Sequence, residues 1–167
     1  MREMTMRTLA LAVAAVLASA TAGLAAPASV SVTVGPELQA KAVKTLGVRD
    51  VNELAADLQT TVEKRLAKAG AYDGARIELV LADATPNRPT FKQLGDQPGL
   101  SYESFGIGGA EIKGRAIAAD GAVTPISYRY YESDIRWARH GGTWADAEGT
   151  FEQFAAELAR GKAIASR

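Results

Sequence analysis

The stretch AEIKGRAIAADGAVTPISYRYYES, residues 110–133, decides how this chain folds, because two alternating runs flank the triplet Ala119, Asp120 and Gly121. Alternation of apolar and polar residues marks half-buried strands, and a short Asp-Gly segment between two such runs marks a hairpin. Its register follows from what each alternative would bury. A two-residue turn at Asp120 and Gly121 pairs Ala118 with Val123 and puts Ile126, Tyr128 and Tyr130 on the same face as Glu111, Lys113 and Arg115. A three-residue loop, with Gly121 left-handed in a bulge, pairs Ala118 with Ala122 instead. Ile112, Gly114 and Ala116 then share a face with Ile126, Tyr128 and Tyr130. The second register is preferred, since one apolar face costs less than charged side chains turned toward a core. Pro125 has no N–H to give, which makes its strand an edge or leaves its nitrogen on the unpaired side.

A hairpin with one apolar face needs something to cover it, and the rest of the chain supplies candidates. Asp50 reads as an N-cap with Glu53 three residues on, and Val51, Leu54, Leu58, Val62 and Leu66 form an apolar stripe that stops at Gly70. Two strands bracket this helix. Ser29–Val34 alternates with Val30, Val32 and Val34 on one side, and Arg76–Ala82 places Ile77, Leu79 and Leu81 on one side. A strand, a helix and a strand favour a right-handed crossover with the strands parallel. The segment from Glu37 to Gly47 is left open between a short helix and a loop. From Asp83 to Gly109 the periodicity collapses among prolines and glycines, which reads as a long loop. A last helix starts at Thr143, with Asp146 as a capping-box variant, and runs through Phe151, Phe154 and Leu158 to Gly161. The expectation is a two-layer α+β domain, a mixed sheet of about four strands with two helices on one face, in the order β-α-β-loop-β-β-α.

Composition narrows the function. The 167 residues carry 19 basic and 19 acidic side chains, which argues against nucleic-acid binding by bulk charge, and 47% hydrophobic residues argue against disorder throughout. Arg2 and Arg7 precede an apolar run from Thr8 to Ala20 and the small residues Thr21, Ala22 and Gly23, the order of a secretory signal. Gly23 and Ala25 fit the small-x-small cleavage pattern, so residues 1–25 are expected to be removed, leaving one domain over 26–161 and a flexible tail at 162–167. No later segment is apolar enough to span a bilayer. With no cysteine the chain forms neither disulfides nor a lipid anchor at a lipobox, and a bacterial periplasm suits it best.

Candidate functional residues concentrate in two loops. Residues 134–144 hold Arg136, Trp137, Arg139, His140 and Trp144, and tryptophan and arginine are enriched at binding hot spots. The loop from Asn87 to Phe105 adds Arg88, Phe91 and Tyr102. A hydrolase reading would use His140 as general base, oriented by Asp134 or Asp146, with Ser101, Ser104 or Ser133 as nucleophile, although no nucleophile-elbow motif marks any of these serines. A glycosidase-like pair among Glu103, Glu111 and Glu132 has no spacing to select it. One histidine and no cysteine give zinc or copper almost no ligands, and no metal or other cofactor is expected. The glycines of Phe105-Gly106-Ile107-Gly108-Gly109 precede a strand and lack a P-loop's lysine, so they read as tight entry into the hairpin.

The segments LADATPNRPTFKQLGDQPGLSYESFGIGGAEIKGRAIAADG and YRYYESDIRWARHGGTWADAEGTFEQFAAELA resemble those of small exported proteins of proteobacteria, a group that supplies no catalytic residues to carry over. The element order is similar to that of envelope accessory domains such as the N-terminal domain of TolB, an analogy of fold alone. The expectation is a periplasmic, non-catalytic protein that contacts an envelope protein partner through the Asp134–Trp144 and Asn87–Phe105 loops. The rival readings are the hydrolase using His140 and an inhibitor of an envelope enzyme.

Overall fold

The computed structural model describes residues 25–161. The signal read over residues 1–25 lies, except for Ala25, outside the described residues, as does the tail at 162–167. The elements run β1 (Ser29–Val34), α1 (Pro36–Lys41) continuing into a π-helical turn (Ala42–Leu46), α2 (Val48–Ala69), β2 (Arg76–Thr85), α3 (Phe91–Asp96), β3 (Gly109–Ile117), β4 (Val123–Tyr131) and α4 (Ala145–Ala159). The four strands form one mixed sheet in the order β1-β2-β3-β4, with β1 parallel to β2 and the other pairs antiparallel. Helices α2 and α4 pack against each other and against the sheet, so the α+β two-layer arrangement holds.

The hairpin takes the bulged register. Ile112 faces Tyr128, Gly114 faces Ile126 and Ile117 faces Val123. The amide of Ala118 donates to the carbonyl of Ala122, and Gly121 sits at φ +88°, in the left-handed region. One face of the sheet therefore presents Val30, Ile77, Leu79, Leu81, Ile112 and Ile126 to the helices, all buried. Leu54, Leu58, Val62 and Leu66 of α2, with Phe151, Phe154 and Leu158 of α4, close over them. Each such side chain stabilises the fold by about 1.5–3 kcal/mol through removal of apolar area from water.

Five features differ from the sequence reading or refine it. Helix α2 begins at Val48 behind Gly47, so Asp50 lies in the first turn rather than at the cap, where its charge still favours the helix dipole. The segment is helical from Pro36 to Leu46, with Gly47 ending it, and Leu38, Ala42 and Leu46 join the core. Strand β2 continues to Thr85 because a bulge between Leu81 and Asp83 shifts the phase, and the next core residue after Leu81 is Ala84. The expected long loop also contains α3, closed by a capping box in which the Thr90 hydroxyl accepts from the Gln93 amide and the Gln93 side chain accepts from the Thr90 amide. Finally, α4 begins at Ala145 with Trp144 at the N-cap position, and Asp146 does not cap the helix.

The other sheet face is polar. Glu78 pairs with Arg115, Glu111 with Lys113, and Asp83 with Lys41. Tyr131 donates to Asp83 at 3.0 Å, and its phenol is pushed well above the ordinary tyrosine value, first by burial and then by the charge of Asp83.

Gly121→Ala should cost about 1 kcal/mol in urea unfolding because of its positive φ, whereas Gly142→Ala, with open space around it, should change stability by less than about 0.5 kcal/mol. Because Tyr131 has a raised folded-state pKa, its contribution is intact below about pH 10, the unfolded value, and is lost as pH rises toward the folded value. Urea melts at increasing pH should show a shallower alkaline decline for Tyr131→Phe than for the native protein; equal slopes would contradict this assignment.

Candidate functional site

At the end of the sheet where β2 leaves and β3 enters, three irregular segments meet around a buried carboxylate. Asp146, in the first turn of α4, is 5% exposed, and Asn87, just beyond β2, is 2% exposed. A carboxylate taken out of water must be matched by donors. Asp146 Oδ2 accepts from Asn87 Nδ2 at 2.6 Å and from the Gly108 amide at 2.9 Å, and Oδ1 accepts from the Arg139 amide at 2.8 Å. In return Asn87 Oδ1 accepts from the Asp146 amide at 2.8 Å, while Asn87 Nδ2 also donates to the Gly106 carbonyl at 3.1 Å. The charge also lies at a helix N-terminus, where the dipole favours it. Gly108 must be glycine, since a Cβ there would lie 2.7 Å from the Thr85 carbonyl and 2.8 Å from Asn87 Oδ1.

This network holds the two loops that the sequence singled out. The Asn87 amide donates to the Thr143 carbonyl at 2.7 Å, and the Gly106 amide donates to the Asn87 carbonyl at 2.8 Å. Their side chains then stack. The Arg88 guanidinium lies over Tyr102 (5.7 Å to the ring centroid) and Phe105 (5.3 Å), and its Nη1 donates to the Tyr102 carbonyl at 2.9 Å. His140 stacks on Phe105 with centroids 4.3 Å apart and planes inclined by 15°. Tyr102, Arg88, Phe105 and His140 thus form one ledge of rings and guanidinium, in which each exposed cation–π contact is worth about 0.5–1 kcal/mol.

The other candidates fall in different places. Trp137 projects into solvent at 73% exposure, and Phe91 does so at 82% at the start of α3. Trp144, expected on the same contact surface, is placed in the core, 8% exposed. Arg136 is spent on Asp134, whose carboxyl it holds below the usual carboxylate range. Arg139 reaches Glu152 at 3.3 Å and lies over Gly149 of α4. Asn87 and Phe105 are the residues that sequence reasoning underrated, the first because nothing local marks a buried asparagine in a proline-rich loop.

The geometry does not assemble the hydrolase triad. Asp134 faces Arg136, Asp146 is saturated by backbone and amide donors, and His140 lies flat on a phenyl ring. Of the acidic trio, Glu111 pairs with Lys113, and Glu132 accepts from Tyr130 and from the Ser133 and Asp134 amides. Among the described residues no three metal-ligating side chains converge, and no helix is long and apolar enough to cross a membrane. A shallow cleft of about 280 Å³ beside Arg88, Gln93, Gln97 and Phe105 falls just below the ~300–1,000 Å³ usual for enclosed small-molecule sites. Comparison with protein-family models, curated proteins and solved structures finds no match.

Asp146→Asn should lower unfolding free energy by about 2–4 kcal/mol, because one acceptor becomes an NH₂ group pressed against an N–H donor in a buried site. Asp134→Asn, at the exposed pair, should leave the urea midpoint nearly unchanged. Equal effects of the two substitutions would contradict a central role for the buried carboxylate.

Proposed function

We propose that the protein is a non-catalytic accessory component of the bacterial envelope, exported to the periplasm, that binds another envelope protein through the ledge of Arg88, Tyr102, Phe105 and His140 together with Trp137. The observation that carries this reading is Trp137: an indole at 73% exposure, three residues before His140 of the aromatic–arginine stack, is the kind of anchor that dominates protein interfaces. Rigidity supports it further. The loops bearing these side chains are tied to the core through Asn87 and Asp146, so less ordering entropy opposes binding. The signal-like N-terminus and the resemblance to small exported proteins supply the compartment.

A photo-crosslinker at position 137 should capture a partner in the envelope fraction that a crosslinker at Val123, 58% exposed on the hairpin tip, does not. Arg88→Ala, with the melting temperature within a few degrees of native, should reduce that capture by about tenfold. Equal capture from both positions, or none from either, would overturn the reading.

A further inference from the structure

The two edges of the sheet are built differently. Strand β4 forms one edge, and counting alternately from the Ala118–Ala122 bond turns the Pro125 nitrogen outward, where a pairing strand would need a donor. The β1 edge, Ser-Val-Ser-Val-Thr-Val, has no proline, charge or bulge, the devices that normally keep an edge from pairing. Among the described residues nothing pairs with its outer side. The Gly35 amide donates to the Leu81 carbonyl, so the odd-numbered residues of β1 bond toward β2 and Val30, Val32 and Val34 turn their N–H and C=O groups outward.

We infer that β1 pairs antiparallel with β1 of a second copy of this chain, about a two-fold axis through Val32, joining two four-stranded sheets into one of eight strands. The sequence of β1 is self-complementary under that operation. Val30 meets the second copy's Val34 and Val32 meets its own counterpart, both as outward-bonding pairs, giving about six inter-strand hydrogen bonds. Ser31 meets Thr33 on the polar face, so no charge opposes another. The same axis brings the two α2 helices together antiparallel on the core side. There a groove of about 410 Å³ runs between β1 and α2, with Val32, Val34, Asn52, Ala55, Ala56 and Gln59 among its walls, and none of its lining residues is charged. An uncharged groove on each copy meets its own image without repulsion, whereas the cleft between α2 and α4 is lined by Lys64, Arg65, Lys68 and Glu152.

Sedimentation equilibrium of the native protein and two double variants tests this pairing. Ser31 and Thr33 are both exposed and can be changed without entering the core. Ser31→Lys with Thr33→Lys sets lysine against lysine twice across the axis and should weaken the dimer by about tenfold or more. Ser31→Lys with Thr33→Glu sets opposite charges there and should retain it. A native protein that is monomeric at about 100 μM, a concentration at which even weak specific dimers populate, would overturn the inference. So would two variants that dissociate equally while circular dichroism shows both folded.

Discussion

A carboxylate with no cationic partner among the described residues, buried at the start of α4, is the constraint on which the candidate surface rests. Left without donors it would cost several kilocalories per mole, so the folded state exists only with Gly108, Arg139 and Asn87 brought to Asp146. Those three come from the entry to β3, the segment before α4 and the exit from β2. Satisfying one charge therefore fixes three segments that have little regular structure of their own. Hydrophobic burial stabilises the sheet and its two long helices, but it does not specify where the loops lie, because apolar packing is undirected. Directional donors do specify it.

The ledge follows from that fixation. Arg88 is one residue from Asn87, Phe105 precedes Gly106, and His140 follows Arg139, so three of the four side chains in the stack neighbour a residue held by the network, and Arg88 holds the fourth, Tyr102, by its carbonyl. The surface is thus presented by residues adjacent to a rigid polar core, and stacking adds to an order that already exists. Trp137 lies outside the network but is supported by its own turn, in which its amide donates to the Asp134 carbonyl at 2.9 Å.

The legible parts of the sequence were those where period and turn chemistry agree. The hairpin register was readable because shifting it would turn Glu111, Lys113 and Arg115 inward, and because Gly121 supplies the required positive φ. Helix α2 was readable from its stripe, and the sheet contributions of β1 and most of β2 from alternation. The bulge at the end of β2 was not, since one extra residue breaks a period of two and makes Ala82–Thr85 look irregular. Helix α3 had its signal in plain view, Thr90 and Gln93 at capping-box spacing, but the surrounding prolines and glycines outweighed a six-residue element. The two tryptophans were inseparable by type. Trp144 is drawn inward by its place at the N-cap of an amphipathic helix, while Trp137 sits in a turn whose apolar contribution, Ala138, is already buried. At Asp146 the sequence reading assigned a local cap, yet its partner Asn87 is 59 residues away, and pairings at that distance leave no local pattern.

That separation bears on how the protein comes into being. A contact closing 59 residues can form only once most of the chain has been delivered, and it depends on a helix that ends at Ala159. A chain delivered N-terminus first has Asn87 and Gly108 out before the carboxylate that binds them, which arrives only with the last helix. A chain stalled or clipped before α4 would therefore carry all four ledge side chains without the carboxylate that ties their loops together.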